Sequence, residues 1–164
     1  MKGLRMVTLL LILGALAIPP VAALHVRYLD IAVDRDGSAT VTFEYTLPWI
    51  EQVFAFLGVV SPDRDFGRIL GVASGGEIVA LSAGDGMTTF SMRGFANVTG
   101  TPPDTTCTTP ALNLSWGQAG YEASILAPLL SPDFSPDVTV VRFPDAYSLT
   151  FRDELLIPGI THAC

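Results

Sequence analysis

Two stretches early in the chain alternate apolar and polar side chains at period two, HVRYLDIAV at residues 25–33 and SATVTFEYTL at residues 38–47. In the second, Val41, Phe43, Tyr45 and Leu47 fall on one face and Thr40, Thr42, Glu44 and Thr46 on the other, which predicts a pair of half-buried strands. The four residues between them, Asp34-Arg35-Asp36-Gly37, predict a tight hairpin turn. Asp34 would accept a bond from the backbone ahead, and Gly37 would take a positive φ without steric cost. The same stretch opens like a calcium loop, which makes Asp34 and Asp36 weak metal candidates. An EF-hand loop, however, supplies a third oxygen ligand before its glycine and a bidentate glutamate after it. Here Gly37 follows the second aspartate directly, so a turn without metal is expected.

The period then lengthens. From Pro48, the residues Trp49, Val53, Phe56, Leu57 and Val60 recur at helical spacing, one apolar face of a helix. Ser61-Pro62-Asp63 is a helix-start signature, with a capping hydroxyl, a proline whose missing N–H is not needed in the first turn, and an acid at the positive dipole end. Phe66, Ile69, Leu70 and Ala73 carry that second helix until Gly75-Gly76 stops it. Further strands are expected at 77–83, 87–98, 105–112, 138–143 and 146–157, while 113–130 is ambiguous between strand and helix. The pattern predicts an α+β fold: one antiparallel, β-rich domain, sandwich-like or a curved sheet, with a helical hairpin near residues 48–74 packed on it.

The first 23 residues stand apart from that pattern. Lys2 and Arg5 precede an uncharged run from Met6 to Ile18, Pro19-Pro20 break it, and Val21-Ala22-Ala23 supplies the small side chains a signal peptidase requires. Residues 1–23 therefore read as a signal peptide cleaved before Leu24. The alternative is an uncleaved anchor, for which the run falls short of the ~20 residues that span hydrocarbon. Either way residues 24–164 are expected as one extracytoplasmic domain, secreted or at the cell surface, touching a membrane only through the N-terminal segment if that is retained.

Charge narrows the partners. Of the chain's 9 basic and 16 acidic residues, only Lys2 and Arg5 lie in the leader, so the remainder carries seven arginines, no lysine and a net charge of −9. That balance excludes nucleic acid as a partner and every lysine-dependent chemistry. A cell-envelope protein or a glycan is compatible with it. Two cysteines, Cys107 and Cys164, in an exported chain predict a disulfide.

Catalytic templates are missing. The chain has no H-E-x-x-H, C-x-x-C or G-x-S-x-G and no glycine-rich phosphate loop. His25 lies beside the expected cleavage site, and His162 is expected at a frayed terminus. Asp63-Arg64-Asp65 matches a D-x-D but is better explained as helix N-terminal acids. In SPDFSPD, residues 131–137, the prolines are expected to shape a turn into a strand, with Asp133 and Asp137 as a candidate acid pair. Trp116 and Tyr121 are a candidate sugar-stacking platform. Asn97-Val-Thr99 and Asn113-Leu-Ser115 are candidate glycosylation sequons. No catalytic residue and no cofactor is assigned.

DRDGSATVTFEY, the WIEQVFAF segment, SPDFSPDVTVVRFPD and the closing LIPGITH together resemble uncharacterised exported proteins of archaea, over most of the chain after the leader. That resemblance implies an envelope location and no particular activity. Two readings follow: a non-enzymatic exported envelope or binding domain, and an extracellular glycan hydrolase working through an acidic pair. Convergence of two carboxylates in one pocket is the feature that would favour the second.

Overall fold

The computed structural model describes residues 21–48, 61–74, 77–84, 86–117 and 130–164. The expected first helix, at 49–60, and most of the ambiguous 113–130 stretch lie outside the described residues. Of the expected helical hairpin, only the second helix is described.

Strands β1 (Val21–Val33) and β2 (Ala39–Thr46) form the predicted antiparallel hairpin. Gly37 takes φ +81°, as its turn position required. The Gly37 N–H donates to Asp34 O at 3.0 Å and the Asp34 N–H to Ser38 O at 2.8 Å, closing the turn. The side-chain bond to the backbone comes from the other aspartate: Asp36 Oδ1 accepts the Ser38 N–H at 2.9 Å. The turn is also tied to its neighbour. The Ala96 N–H donates to Gly37 O at 2.8 Å, and a Cβ on Gly37 would lie 2.4 Å from Ala96 O.

Helix α1 (Pro62–Ser74) follows, then β3 (Glu77–Gly84), β4 (Met87–Arg93), β5 (Asn97–Thr101), β6 (Asp104–Thr108), β7 (Leu112–Asn113), β8 (Leu130–Asp133), β9 (Val138–Arg142), β10 (Ser148–Phe151), β11 (Leu156–Ile157) and β12 (Thr161–Ala163). The main sheet runs β10-β9-β1-β2-β4-β3, with β8 also paired to β1; β12-β6-β5 and β11-β7 form smaller sheets. The β-rich α+β class holds, but the main sheet is mixed. β1 is long enough to pair in series with two strands that both run parallel to it, β8 near its start and β9 further along. Parallel pairing needs a distant strand and a crossover, which local alternation could not predict.

The core lies under one face of this sheet. Leu29, Ile31 and Val33 of β1, Val41, Phe43 and Tyr45 of β2, and Phe90 and Met92 of β4 are buried, joined by Phe66, Ile69 and Leu70 of α1. The spacing that predicted the α1 stripe is the spacing that buries it. Phe66 stacks on Phe43 at 4.3 Å and meets Phe134 edge-on at 6.0 Å. The aromatic of SPDFSPD thereby anchors the β8–β9 connection. Tyr45 brings a hydroxyl into this core, where it meets Thr88 Oγ1 at 3.2 Å and Gly84 O at 3.3 Å, satisfying the polar groups that burial would otherwise penalise.

Candidate functional site

The apolar positions of β1 change step between Val26 and Leu29: the spacing is three residues where a regular strand has two. The structure gives the cause as a β-bulge at Arg27, with Val26 opposite Tyr45 and Tyr28 opposite Glu44. One extra residue restores the inward phase, so Val26 and Leu29 are both buried. At the same point the other neighbour of β1 changes, since β8 pairing ends at His25–Asp133 and β9 pairing begins at Tyr28–Val138. The segment between the two strands is fastened by the Asp137 N–H, which donates to Val26 O at 3.2 Å.

A shallow groove of about 390 Å³ opens over this junction, lined by Arg27, Tyr28, Glu44, Asp137 and Val138. Tyr28 and Val138 are half-buried and form its floor, while Arg27, Glu44 and Asp137 are exposed around it. Among the described residues, the side chains of Arg27, Tyr28 and Glu44 make no hydrogen bond or ion pair. One cation, one anion and one phenol are therefore presented with their bonding capacity unused.

Beside the groove, His25 lies between the two carboxylates proposed from sequence as an acid pair. Its Nε2 is 2.9 Å from Asp137 Oδ1 and its Nδ1 3.6 Å from Asp133 Oδ2. The pair does converge, but across an imidazole, each acid on a different ring nitrogen. Asp133 is further committed to Ser135, whose N–H donates to its Oδ1 at 2.9 Å. SPDFSPD is thus partly strand, since its first three residues belong to β8, and partly turn.

One row along the same sheet face, Arg142 pairs with Asp30 Oδ2, while the other Asp30 oxygen is buried without a partner among the described residues. Asp30 is only 14% exposed while Arg142 is 55% exposed, so here the carboxylate is shielded and paired, unlike Glu44 in the groove.

The second histidine is not at a frayed end. His162 lies in β12 opposite Cys107, and the disulfide from Cys107 to Cys164 closes the same corner. Its ring stacks on Tyr147 at 3.9 Å, meets Phe143 edge-on at 5.1 Å, and places Nε2 2.8 Å from Asp145 Oδ2. The His162 bond, and then the Tyr147 N–H, hold the Asp145 carboxyl below its ordinary value. What hid this cluster was spacing: the β9–β10 turn and the last strand meet only in the folded chain.

The remaining sequence candidates divide. Asp36 accepts the Ser38 hydroxyl at 2.6 Å and then the Ser38 N–H, and these two bonds lower its pKa. Asp34 reaches the same hydroxyl at 3.4 Å. Among the described residues no group of three or more histidine, cysteine or acidic side chains is arranged to hold a metal. Asp63 and Asp65 lie in the first turn of α1; burial raises the Asp65 pKa, and Arg68, 3.4 Å away, opposes that rise. Asn97 is exposed in β5, whereas Asn113 is half-buried with Oδ1 occupied by the Ser115 N–H at 3.0 Å and hydroxyl at 2.6 Å. Trp116 is exposed, and its expected platform partner Tyr121 lies outside the described residues. No helix among the described residues is long and apolar enough to cross a membrane. The expected cleavage point falls within β1, whose first pairings, Val21–Leu130 and Ala22–Ser131, precede the buried Leu24.

Compared with family models, curated proteins and solved structures, the chain has no match.

Proposed function

We propose that this chain is an exported, non-enzymatic domain of the cell envelope or extracellular space, and that it binds a ligand in the groove over the β1 bulge. The observation that carries the reading is the set of unpaired polar side chains, Arg27, Tyr28 and Glu44, gathered on one concavity with Asp137. Convergent polar groups in a concave site are the general mark of ligand binding. Export is supported by the leader pattern of residues 1–23 and by the Cys107–Cys164 disulfide, a bond that persists in oxidising compartments.

Two measurements test it. Mass spectrometry of the protein from its own host should find a mature terminus at Leu24 and a linked Cys107–Cys164 peptide; an intact Met1 with alkylatable thiols would sink export. Sedimentation with isolated host envelopes should be lost in Arg27→Gln/Glu44→Gln, and equal sedimentation of a folded double variant would sink the groove.

A glycan hydrolase is the second reading, favoured by one observation: Glu44 and Asp137 line the same groove. Against it, Asp137 Oδ1 is engaged by His25. Release of reducing ends that disappears in both Glu44→Gln and Asp137→Asn would replace the binding reading.

A further inference from the structure

Resting on the groove being a binding site, we propose that its ligand is a neutral, multiply hydroxylated chain, that is, an uncharged oligosaccharide lying across the β1 bulge. The inference begins with which side chains are free. Asp137 is held by His25 at 2.9 Å, so the uncommitted groups around the groove are Arg27, Glu44 and the Tyr28 hydroxyl. Their formal charges cancel. Arg27 offers only donors, Glu44 only acceptors, and Tyr28 both. A sugar hydroxyl both donates and accepts, so vicinal hydroxyls can use a guanidinium and a carboxylate together. A polyanion would meet Glu44, Asp137 and a chain of net charge −7; a polycation, although drawn by those charges, would offer no acceptor to the Arg27 donors and would leave them unpaired.

Shape points the same way. Tyr28 and Val138 give the groove an apolar floor, against which the C–H face of a pyranose packs as it does on other aromatic surfaces. The concavity is open to solvent and cannot enclose a compact ligand, whereas small-molecule pockets bury most of what they bind. An extended chain gains contact by running through and beyond such a groove. The bulge makes the arrangement available: the extra residue at Arg27 places a charged side chain beside Tyr28 and keeps Val26 and Leu29 in the core.

The test is an amide chemical-shift titration of the isotope-labelled protein purified from an exporting host. The probes are hexasaccharides of glucose and of N-acetylglucosamine, with spermine and hexagalacturonate as charged counterparts. A neutral hexasaccharide should shift the amides of Tyr28, Glu44 and Val138 in a saturable way. Arg27→Gln and Glu44→Gln, each with an unchanged spectrum elsewhere, should weaken that binding about tenfold or more, the loss of one hydrogen bond to a charged group. Saturable shifts with spermine or hexagalacturonate alone would overturn the neutral ligand while leaving the groove a binding site. No shift with any probe would overturn the inference, and the envelope sedimentation then decides separately whether the groove binds at all. Neutral-sugar binding that survives both substitutions would also overturn it.

Discussion

The two histidines have the same kind of partner and opposite surroundings. His25 is 37% exposed and meets two carboxylates that are each more than half exposed. His162 is 24% exposed, packs against two aromatic rings that also touch each other, and sits beside a disulfide, with its partner Asp145 45% exposed. Exposed ion pairs gain little, because water screens them and holding them costs side-chain entropy. Stacking and cross-linking remove much of that water and freedom. A histidine–aspartate contact is therefore a brace at the closed corner, and at the groove it positions a rim.

The largest effect that could break this contrast is loss of the disulfide. It spans 57 residues, and constraining a loop of that length in the unfolded chain contributes about 4 kcal/mol. Cys107→Ser/Cys164→Ser should lower the unfolding free energy in urea by that amount. Hydrogen exchange should accelerate first in β12 and β6 while the β1–β2 hairpin stays protected. Uniform acceleration would show that the corner is not a separate brace.

Next in size are the histidines themselves. His162→Ala removes a stacked ring, an edge contact and a bond to a carboxylate, and should cost about 1–2 kcal/mol. His25→Ala removes only exposed contacts and should cost less than about 1 kcal/mol. Urea melts of the two variants rank them directly, and a costlier His25→Ala would reverse the roles. His25→Ala should also change the environment of Asp137, visible as shifts of the Asp137 and Val138 amides.

Different amounts of these two regions were legible in the sequence. The β1–β2 hairpin and the stripe of α1 could be read because each rests on contacts between near neighbours, so alternation and helical spacing report burial directly. Gly37 could be read for the same reason. The bulge left a trace, the three-residue step from Val26 to Leu29, which simple alternation over residues 25–33 hides. The meeting of His25 with Asp137 left none, because 112 residues separate them and only parallel pairing of β8 and β9 along β1 brings them together. β12 is not legible because three residues cannot display a period; its position comes from pairing with β6 and from the disulfide. The disulfide partners themselves were readable from parity alone, but not the aromatic corner they close.

The smallest effect sharpens the contrast through pH. Hydrogen bonds from His162 and from the Tyr147 N–H hold the folded-state Asp145 carboxyl below its unfolded value. Its contribution is therefore fully present above about pH 4 and is lost as pH falls through the lowered folded value. Asp36, lowered by Ser38, acts in the same direction. Asp65, raised by burial, acts in the opposite one: protonation relieves the cost of burying its charge, so this carboxyl favours the fold as pH falls. Subtracting variant from wild type cancels whatever the variant leaves in place. Asp145→Asn should flatten the dependence of unfolding free energy on pH below about pH 4 relative to wild type. Asp36→Asn should flatten it independently, since the two carboxyls share no partner. Urea melts stepped through the acid range measure both slopes. If Asp145→Asn leaves the slope unchanged, the bond from His162 does not brace the folded corner, and the contrast between the two histidines rests on stacking and the disulfide alone.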